Sequence, residues 1–167
     1  MIMDDNGTDV SENDKTNFTL INCNARSLCP KLESLTDCMS ETEAAVGVVT
    51  ETWMSEKDLD EVREKVKHES GLGMEGRVRK ECAENGVTYG GVAVLWNESR
   101  CDLRRLEYDV GDFELLVCAG KVKGHSRKMV VIACYLPPGY SRSQGDQAMT
   151  KIEDIVVDVK RLSLIHI

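Results

Sequence analysis

Three polar side chains lie at the ends of apolar, strand-like runs in this 167-residue sequence. Asn24 follows the first run in Asn-Ala-Arg-Ser-Leu, Glu51 follows the second in Thr-Glu-Thr-Trp, and Tyr135 ends a later one in Cys-Tyr-Leu-Pro-Pro-Gly. Strand ends are where α/β proteins usually place their sites. A carboxylate is the hard oxygen ligand that Mg²⁺ binds, and an amide or hydroxyl group can stabilise charge on a phosphate oxygen. The three residues are therefore candidates for a functional site.

Each of these residues has a plainer explanation when it is taken alone. An Asn after a strand is usually a turn former, a lone Glu is usually solvated, and a Tyr before two prolines can simply pack at a loop. The case for chemistry therefore depends on their occurring together and on the elements that position them.

The elements before Glu51 predict a βαβ opening. Phe18–Cys23 is a strand-like run, and Ala44–Val49 is an unbroken apolar run, as expected for a strand covered on both faces. Between them a helix is expected to begin near Pro30. The residues on its apolar face are Leu32, Leu35 and Met39.

The rest of the chain predicts two more helices and four more strands. Ser55 and Asp58 form a capping-box-like start to a helix, and residues 69–87 are charged and glycine-containing, as expected for a long surface loop. The predicted strands are Tyr89–Trp96, 102–108, Phe113–Val122 and Met129–Leu136, with a hairpin turn at Gly124–Arg127. The final helix carries Ile152, Ile155, Val156 and Val159 and is expected to end at Lys160–Arg161. This order predicts a mixed α/β fold.

Composition excludes several classes of protein. The net charge of −8 argues against tight non-specific DNA binding, which comes mainly from Lys and Arg on phosphates. Seven cysteines without a Cys-x-x-Cys pair argue against a structural zinc site. The sequence has no secretory signal and no apolar run long enough to span a membrane, so we expect a reducing compartment, cytoplasmic or nuclear.

Four motifs in a fixed order carry a family resemblance. They are Asn24-Ala-Arg-Ser-Leu28 with Lys31, Thr50-Glu-Thr-Trp53, Gly90-Gly-Val-Ala-Val94 and Tyr135-Leu-Pro-Pro138. Together they resemble the endonuclease/exonuclease/phosphatase superfamily, in particular its branch at the N-terminus of LINE-type (non-LTR) retrotransposon polyproteins. The resemblance runs from Phe18 to about Arg161, and four motifs in register are much more specific than one.

The resemblance implies a fold and a set of roles. The fold is an α/β sandwich of two packed sheets, one of them mixed, with flanking helices, of which this chain is the front half. Glu51 matches the family's metal-binding glutamate, and Asn24 matches the asparagine that helps to set the metal and phosphate site. Tyr135 matches a tyrosine near the scissile phosphate. The implied activity is Mg²⁺-dependent phosphodiester cleavage in DNA. Arg26 stands where some members of the superfamily have an acidic residue.

The family's later motifs do not occur in this sequence. These are Gly-Asp-Phe-Asn, a further Asp and a terminal Ser-Asp-His. Gly111-Asp112-Phe113 precedes Tyr135 and continues with Glu114, so we interpret it as a turn entering a strand. Because positioned acid–base groups are typically worth about 10²–10⁴-fold each, we expect the chain alone to be nearly inactive, with Mg²⁺ weakly bound or absent.

The resemblance also divides the chain. We expect a disordered acidic leader at 1–16, a partial domain at 17–161, and a tail at 162–167 that looks like non-native sequence. The missing C-terminal half of the domain would cover apolar surface, so we expect self-association through an exposed sheet face.

Two other functions are compatible with the same motifs. One is a non-catalytic retroelement remnant or binding module, which fits the absent motifs. The other is a different phosphoesterase of the superfamily, with a phosphoinositide, sphingomyelin or RNA substrate, which the Asn-Ala-Arg-Ser-Leu string disfavours.

Two further patterns are assigned no function. Gly71–Gly76 fits the dinucleotide fingerprint G-x-G-x-x-G, but it lacks the required strand before it and helix after it, so a flexible loop is expected. Two basic clusters could contact a phosphate backbone, but a solvated rim is the favoured interpretation. Their members are Arg77, Arg79, Lys80, Lys121, Lys123, Arg127 and Lys128.

Overall fold

The structure, a computed structural model, describes residues 18–79, 89–125 and 128–164. The elements in chain order are β1 (Leu20–Asn24), a 3₁₀ turn (Cys29–Lys31), α1 (Leu32–Glu41), β2 (Val46–Thr50), α2 (Glu56–Ser70), β3 (Leu72–Arg77), β4 (Val92–Asn97), β5 (Cys101–Leu106), β6 (Glu114–Val122), β7 (Lys128–Tyr135) and α3 (Arg142–Leu164). The expected acidic leader, 1–16, lies outside the described residues.

Four strands form a mixed sheet, in the order β1-β2-β4-β3. β1 and β2 are parallel, with Asn24 beside Thr50, and they are joined through α1. This is the βαβ opening that the sequence predicts. β4 runs antiparallel to both β2 and β3. Thr50 at the end of β2 therefore lies beside Val92 at the start of β4.

The other three strands form an antiparallel sheet, in the order β5-β6-β7. β6 and β7 make the predicted hairpin, although Ser126 and Arg127 of its turn lie outside the described residues. In this hairpin Glu114, the first residue of β6, lies opposite Tyr135, the last residue of β7.

The two sheets pack face to face, and helices cover their outer faces. Apolar side chains alternate along the strands, as a pleated strand between two apolar layers requires. In β4, for example, Ala93 and Leu95 pack with α1 and α2, whereas Val92, Val94 and Trp96 pack between the sheets. The outer face of the second sheet packs on α3 through Ile155. The result is an α–β–β–α sandwich.

One predicted loop is wrong in part, because residues 72–77 form the edge strand β3. The glycines that suggested a loop are required by close packing. A Cβ on Gly73 would come within 2.2 Å of the Trp96 ring, and one on Gly76 within 2.6 Å of Leu59 Cδ1. Gly71 has φ +62° and ends α2 in the left-handed conformation. The G-x-G-x-x-G match is therefore a helix cap followed by two packing glycines.

The start of α2 and the end of α3 can be compared with the helix ends predicted from the sequence. The predicted capping box at the start of α2 is confirmed, because Ser55 Oγ accepts from the Asp58 amide and Asp58 Oδ2 accepts from the Ser55 amide. The expected end of the last helix at Arg161 is wrong, since α3 continues to Leu164.

Within the described residues, no helix is both long and apolar enough to span a membrane.

Candidate functional site

Asn24, Glu51 and Tyr135 lie at one end of the sandwich. Asn24 is the last residue of β1, Glu51 directly follows β2, and Tyr135 is the last residue of β7. The first two are neighbours because β1 and β2 are parallel and end together. Tyr135 comes from the other sheet, so both sheets contribute to the site.

Two donors meet at one oxygen of the Glu51 carboxylate. Asn24 Nδ2 donates to Glu51 Oε1 at 2.8 Å, and the Tyr135 hydroxyl donates to the same oxygen at 2.7 Å. Asn24 is exposed, whereas Glu51 and Tyr135 are partly buried. The structure thus brings together all three residues that the sequence singles out.

These contacts change the acidity of the residues in opposite directions. The hydrogen bonds from Tyr135 and Asn24, in that order of size, hold the pKa of Glu51 below its ordinary value, with a smaller contribution from the charge of Arg26. Burial, followed by the hydrogen bond to Glu51, raises the pKa of Tyr135 to about 12. At neutral pH the site therefore contains an anionic carboxylate and a neutral hydroxyl group.

The backbone around Glu51 adopts an uncommon conformation. In the two loops that follow β1 and β2, four non-glycine residues have positive φ: Arg26 (+45°), Ser27 (+81°), Glu51 (+52°) and Trp53 (+50°). Such angles cost free energy for L-residues and persist only where surrounding contacts hold them. Here the Ser27 amide donates to the Glu51 carbonyl at 2.9 Å, and the Trp53 amide donates to the Gly90 carbonyl at 2.8 Å.

The loop after β1 is closed by Lys31, which belongs to the first motif. Lys31 Nζ donates to the Ala25 carbonyl and, at 3.1 Å, to the Arg26 carbonyl. The lysine therefore holds the loop backbone that directly follows Asn24.

A buried polar cluster that sequence reasoning missed lies behind Glu51. Glu114 is 2% exposed, and its carboxylate accepts from the Gly91 amide and, at 2.6 Å, from Arg79 Nε. Thr52 is 1% exposed, and its amide donates to the Gly91 carbonyl at 3.3 Å. The available signal was a glutamate at the start of an apolar strand, where a charge needs a partner.

The expectation of a solvated rim is wrong for Arg77 and Arg79, whereas Lys121, Lys123 and Lys128 are exposed as expected. Arg79 is paired with buried Glu114, and Arg77 Nη2 donates to the Gly111 carbonyl at 2.6 Å. Lys80 and Arg127 lie outside the described residues. Gly111–Phe113 forms a turn before β6, as the sequence analysis expected.

Glu51 and Asn24 can supply oxygen ligands to a metal ion. Glu51 is anionic, and both donors contact its Oε1, so its Oε2 can serve as a metal ligand. The amide oxygen of Asn24 can serve as a second ligand. This donor set fits Mg²⁺, which retains several waters and takes one or two carboxylates plus phosphate oxygens. Across the ranges that the structure describes, no three His, Cys, Asp or Glu side chains cluster as a metal site. Glu51 and Asn24 would therefore supply only two ligands to such an ion, and water or phosphate oxygens would have to supply the others.

Comparisons with known proteins identify the fold. No protein-family model matches the sequence, and no curated protein is significantly similar to it. Among solved structures, the 3′-5′ exonuclease NExo from Neisseria meningitidis superposes with a TM-score of 0.61 at 18% identity, over 85% of this chain and 52% of that chain. A 3′ phosphatase NExo from Neisseria bound to a product DNA hairpin gives 0.59 at 17% identity, over 87% and 53%.

A third solved structure is the endonuclease domain of TRAS1, a telomere-specific non-LTR retrotransposon. It gives a TM-score of 0.55 at 10% identity, over 81% of this chain and 53% of that chain. The chain thus spans about half the length of the structures that it matches. At these identities the likeness establishes the fold, and the predicted endonuclease/exonuclease/phosphatase fold class is confirmed.

Proposed function

We propose that Asn24, Glu51 and Tyr135 form part of a Mg²⁺-dependent phosphodiesterase site that acts on DNA, of the retrotransposon endonuclease type. The observation that carries this proposal is the meeting of two hydrogen-bond donors, from β1 and β7, at one oxygen of an anionic carboxylate. A solvated glutamate with no function would not need two fixed donors from different sheets.

Each residue has a role that follows from its contacts. Glu51 and the Asn24 amide oxygen would hold the metal ion, which when bound neutralises charge on a phosphate oxygen. Tyr135, whose pKa of about 12 keeps it protonated, can donate its hydroxyl proton either to Glu51 or to a phosphate oxygen. Arg26 is close enough for its positive charge to act on Glu51, so it would also attract a phosphate bound at this site.

DNA as the substrate is supported by the order of the motifs and by the fold. The solved structures with this fold include an exonuclease, a phosphatase bound to a DNA hairpin and a retrotransposon endonuclease domain. The four motifs, with Arg26 in place of an acidic residue, favour the retrotransposon branch. Because no Gly-Asp-Phe-Asn or Ser-Asp-His string occurs in the sequence, the chain alone is expected to show little cleavage.

The test measures metal binding rather than turnover. Free Mn²⁺, a spectroscopic substitute for Mg²⁺, would be titrated with the chain and counted by electron paramagnetic resonance. Glu51→Gln removes the charge but keeps an oxygen for both donors. We expect it to lower Mn²⁺ affinity by at least the about 10–100-fold that is typical of losing a supporting residue.

The matched control is Glu98→Gln, which neutralises an exposed carboxylate just after β4, at the opposite end of the first sheet. It should leave Mn²⁺ affinity unchanged. Equal affinity in the wild type and Glu51→Gln would refute the metal site. Binding of nucleic acid that is unaffected by Mg²⁺ and by Glu51→Gln would instead favour a non-catalytic binding module.

A further inference from the structure

We propose that Glu114 is a positioning residue for the Glu51 site, because its buried carboxylate links the two sheets and fixes Tyr135 relative to Glu51. The importance of this geometry for catalysis rests on the proposed function. The link itself does not, since it is a property of the contacts described below.

The first contact is within the second sheet. Glu114 begins β6 and lies directly opposite Tyr135, the last residue of β7. The position of the Glu114 backbone therefore determines where the Tyr135 backbone ends. Glu114 is 2% exposed, so its side chain is directed into the protein rather than into solvent.

The second contact crosses to the first sheet. The Glu114 carboxylate accepts from the Gly91 amide, just before β4, and from Arg79, just after β3. Gly90 lies against the same carboxylate, because a Cβ added there would be 2.6 Å from Glu114 Oε2. One side chain of β6 thus contacts the ends of two strands in the opposite sheet.

The third step returns to Glu51. The carbonyl groups of Gly90 and Gly91 accept from the amides of Trp53 and Thr52, at 2.8 and 3.3 Å. Thr52 directly follows Glu51, whose φ of +52° depends on contacts that hold it. The hydrogen bond from Tyr135 to Glu51 then completes a closed path of contacts from Glu114 through both sheets.

The chemistry of Glu114 suits this role better than a purely stabilising one. A buried ion pair is often no more stabilising than apolar residues of the same volume, because both charges lose their hydration. An apolar side chain at 114, however, would leave the Gly91 amide without its acceptor. A carboxylate at this position therefore provides a specific geometry at the site end of the sandwich.

The experiment measures the Glu51 pKa in the absence of divalent metal ions, by ¹³C NMR of the glutamate carboxyl carbons, in the full 167-residue chain. Glu51→Gln assigns the signal. Tyr135→Phe gives the rise in pKa that follows loss of the Tyr135 hydrogen bond. We expect Glu114→Gln to produce at least half of that rise. Loss of the Glu114 negative charge by itself would favour ionisation of Glu51 and lower its pKa. Loss of positioning raises that pKa, so the direction of the change distinguishes the two effects.

The core control is Leu116→Ala, on the same strand and packed between the sheets. It should lower the free energy of unfolding and leave the Glu51 pKa unchanged. This control separates a specific effect on the position of Tyr135 from a general loss of stability. If Glu114→Gln does not fold, Glu114→Asp keeps the charge beside Arg79 but shortens the side chain, and the same criterion applies. An unchanged or lowered Glu51 pKa in the folded variant overturns the proposal.

This measurement also remains decisive if the wild-type chain does not bind Mn²⁺. In that case the proposed metal binding by Glu51 and Asn24 is refuted, while the effect of Glu114 on the Glu51 pKa can still be measured.

Discussion

Gly91→Ala tests the close contact between the Gly91 backbone and the buried side chain of Thr52, the residue after Glu51. Gly91 has φ +84°, and an added Cβ would be 2.5 Å from Thr52 Oγ1 and 3.3 Å from the Arg77 carbonyl. Thr52 is short, branched and 1% exposed, so it cannot swing into solvent to make room. The substitution is therefore both conformationally strained and overpacked.

The chain offers a matched control that separates these two effects. Gly124, in the turn after β6, has φ +82°, and a Cβ there would meet nothing within 4 Å. Gly124→Ala therefore has the conformational cost alone, about 1–2 kcal/mol for an L-residue with left-handed backbone. Gly91→Ala adds about 1–3 kcal/mol of overpacking.

The assay is urea and thermal unfolding of both variants, followed by circular dichroism. For a chain of this length, each kcal/mol lowers Tm by about 2–4 °C, so Gly91→Ala should melt about 2–12 °C below Gly124→Ala. Equal destabilisation of the two variants would refute the reasoning, because the close approach to Thr52 would then have no energetic effect.

Three further predictions concern titration, capping and thiol chemistry. The pKa of Tyr135 is raised to about 12 from an ordinary value of 10, so the hydroxyl contributes stability that is complete below pH 10 and is lost as pH rises towards 12. Between pH 10 and 12 the free energy of unfolding of the wild type should therefore fall by about 1–2 kcal/mol relative to that of Tyr135→Phe, once solvent screening is allowed for. The same pH dependence of unfolding free energy in both proteins would contradict this. Ser55→Ala removes the capping box of α2 and should lower the free energy of unfolding by about 1 kcal/mol, whereas Ser70→Ala at the other end of the helix should change it by less than half as much. Cys29 is exposed, whereas burial raises the pKa of Cys118 to about 12, so thiol-specific labelling at pH 8 should modify Cys29 before Cys118. Labelling of Cys118 as fast as Cys29 in the folded chain would show that β6 is not protected.

The sequence predicts the three site residues better than it predicts the contacts that hold them in place. Asn24, Glu51 and Tyr135 each end an apolar strand-like run, and their identities and order carry a family resemblance. Parallel pairing of β1 and β2 brings the first two together, as a βαβ unit dictates. The distance between the two sheets, which brings Tyr135 to Glu51, has no local signal in the sequence.

The parts that sequence reasoning missed depend on contacts between distant elements. The sequence favours a loop at β3 because Gly73 and Gly76 look permissive. The structure shows that Trp96 and Leu59 fill the space beside these two glycines. Arg79 looked solvated because its partner, Glu114, lies 35 positions away. In both cases the residue type is explained only by a neighbour that the linear pattern does not identify.

The separation of Glu51 from its two partners along the chain also orders the formation of the site during folding. Asn24 is 27 positions from Glu51 and belongs to the same βαβ unit, whereas Tyr135 is 84 positions away on the other sheet. Closing the longer loop costs more entropy, and contacts of long sequence separation form more slowly. On a ribosome, β1 and β2 would emerge and pair well before β7 exists. Glu51 would therefore first acquire the Asn24 contact, and only docking of the second sheet would complete the arrangement.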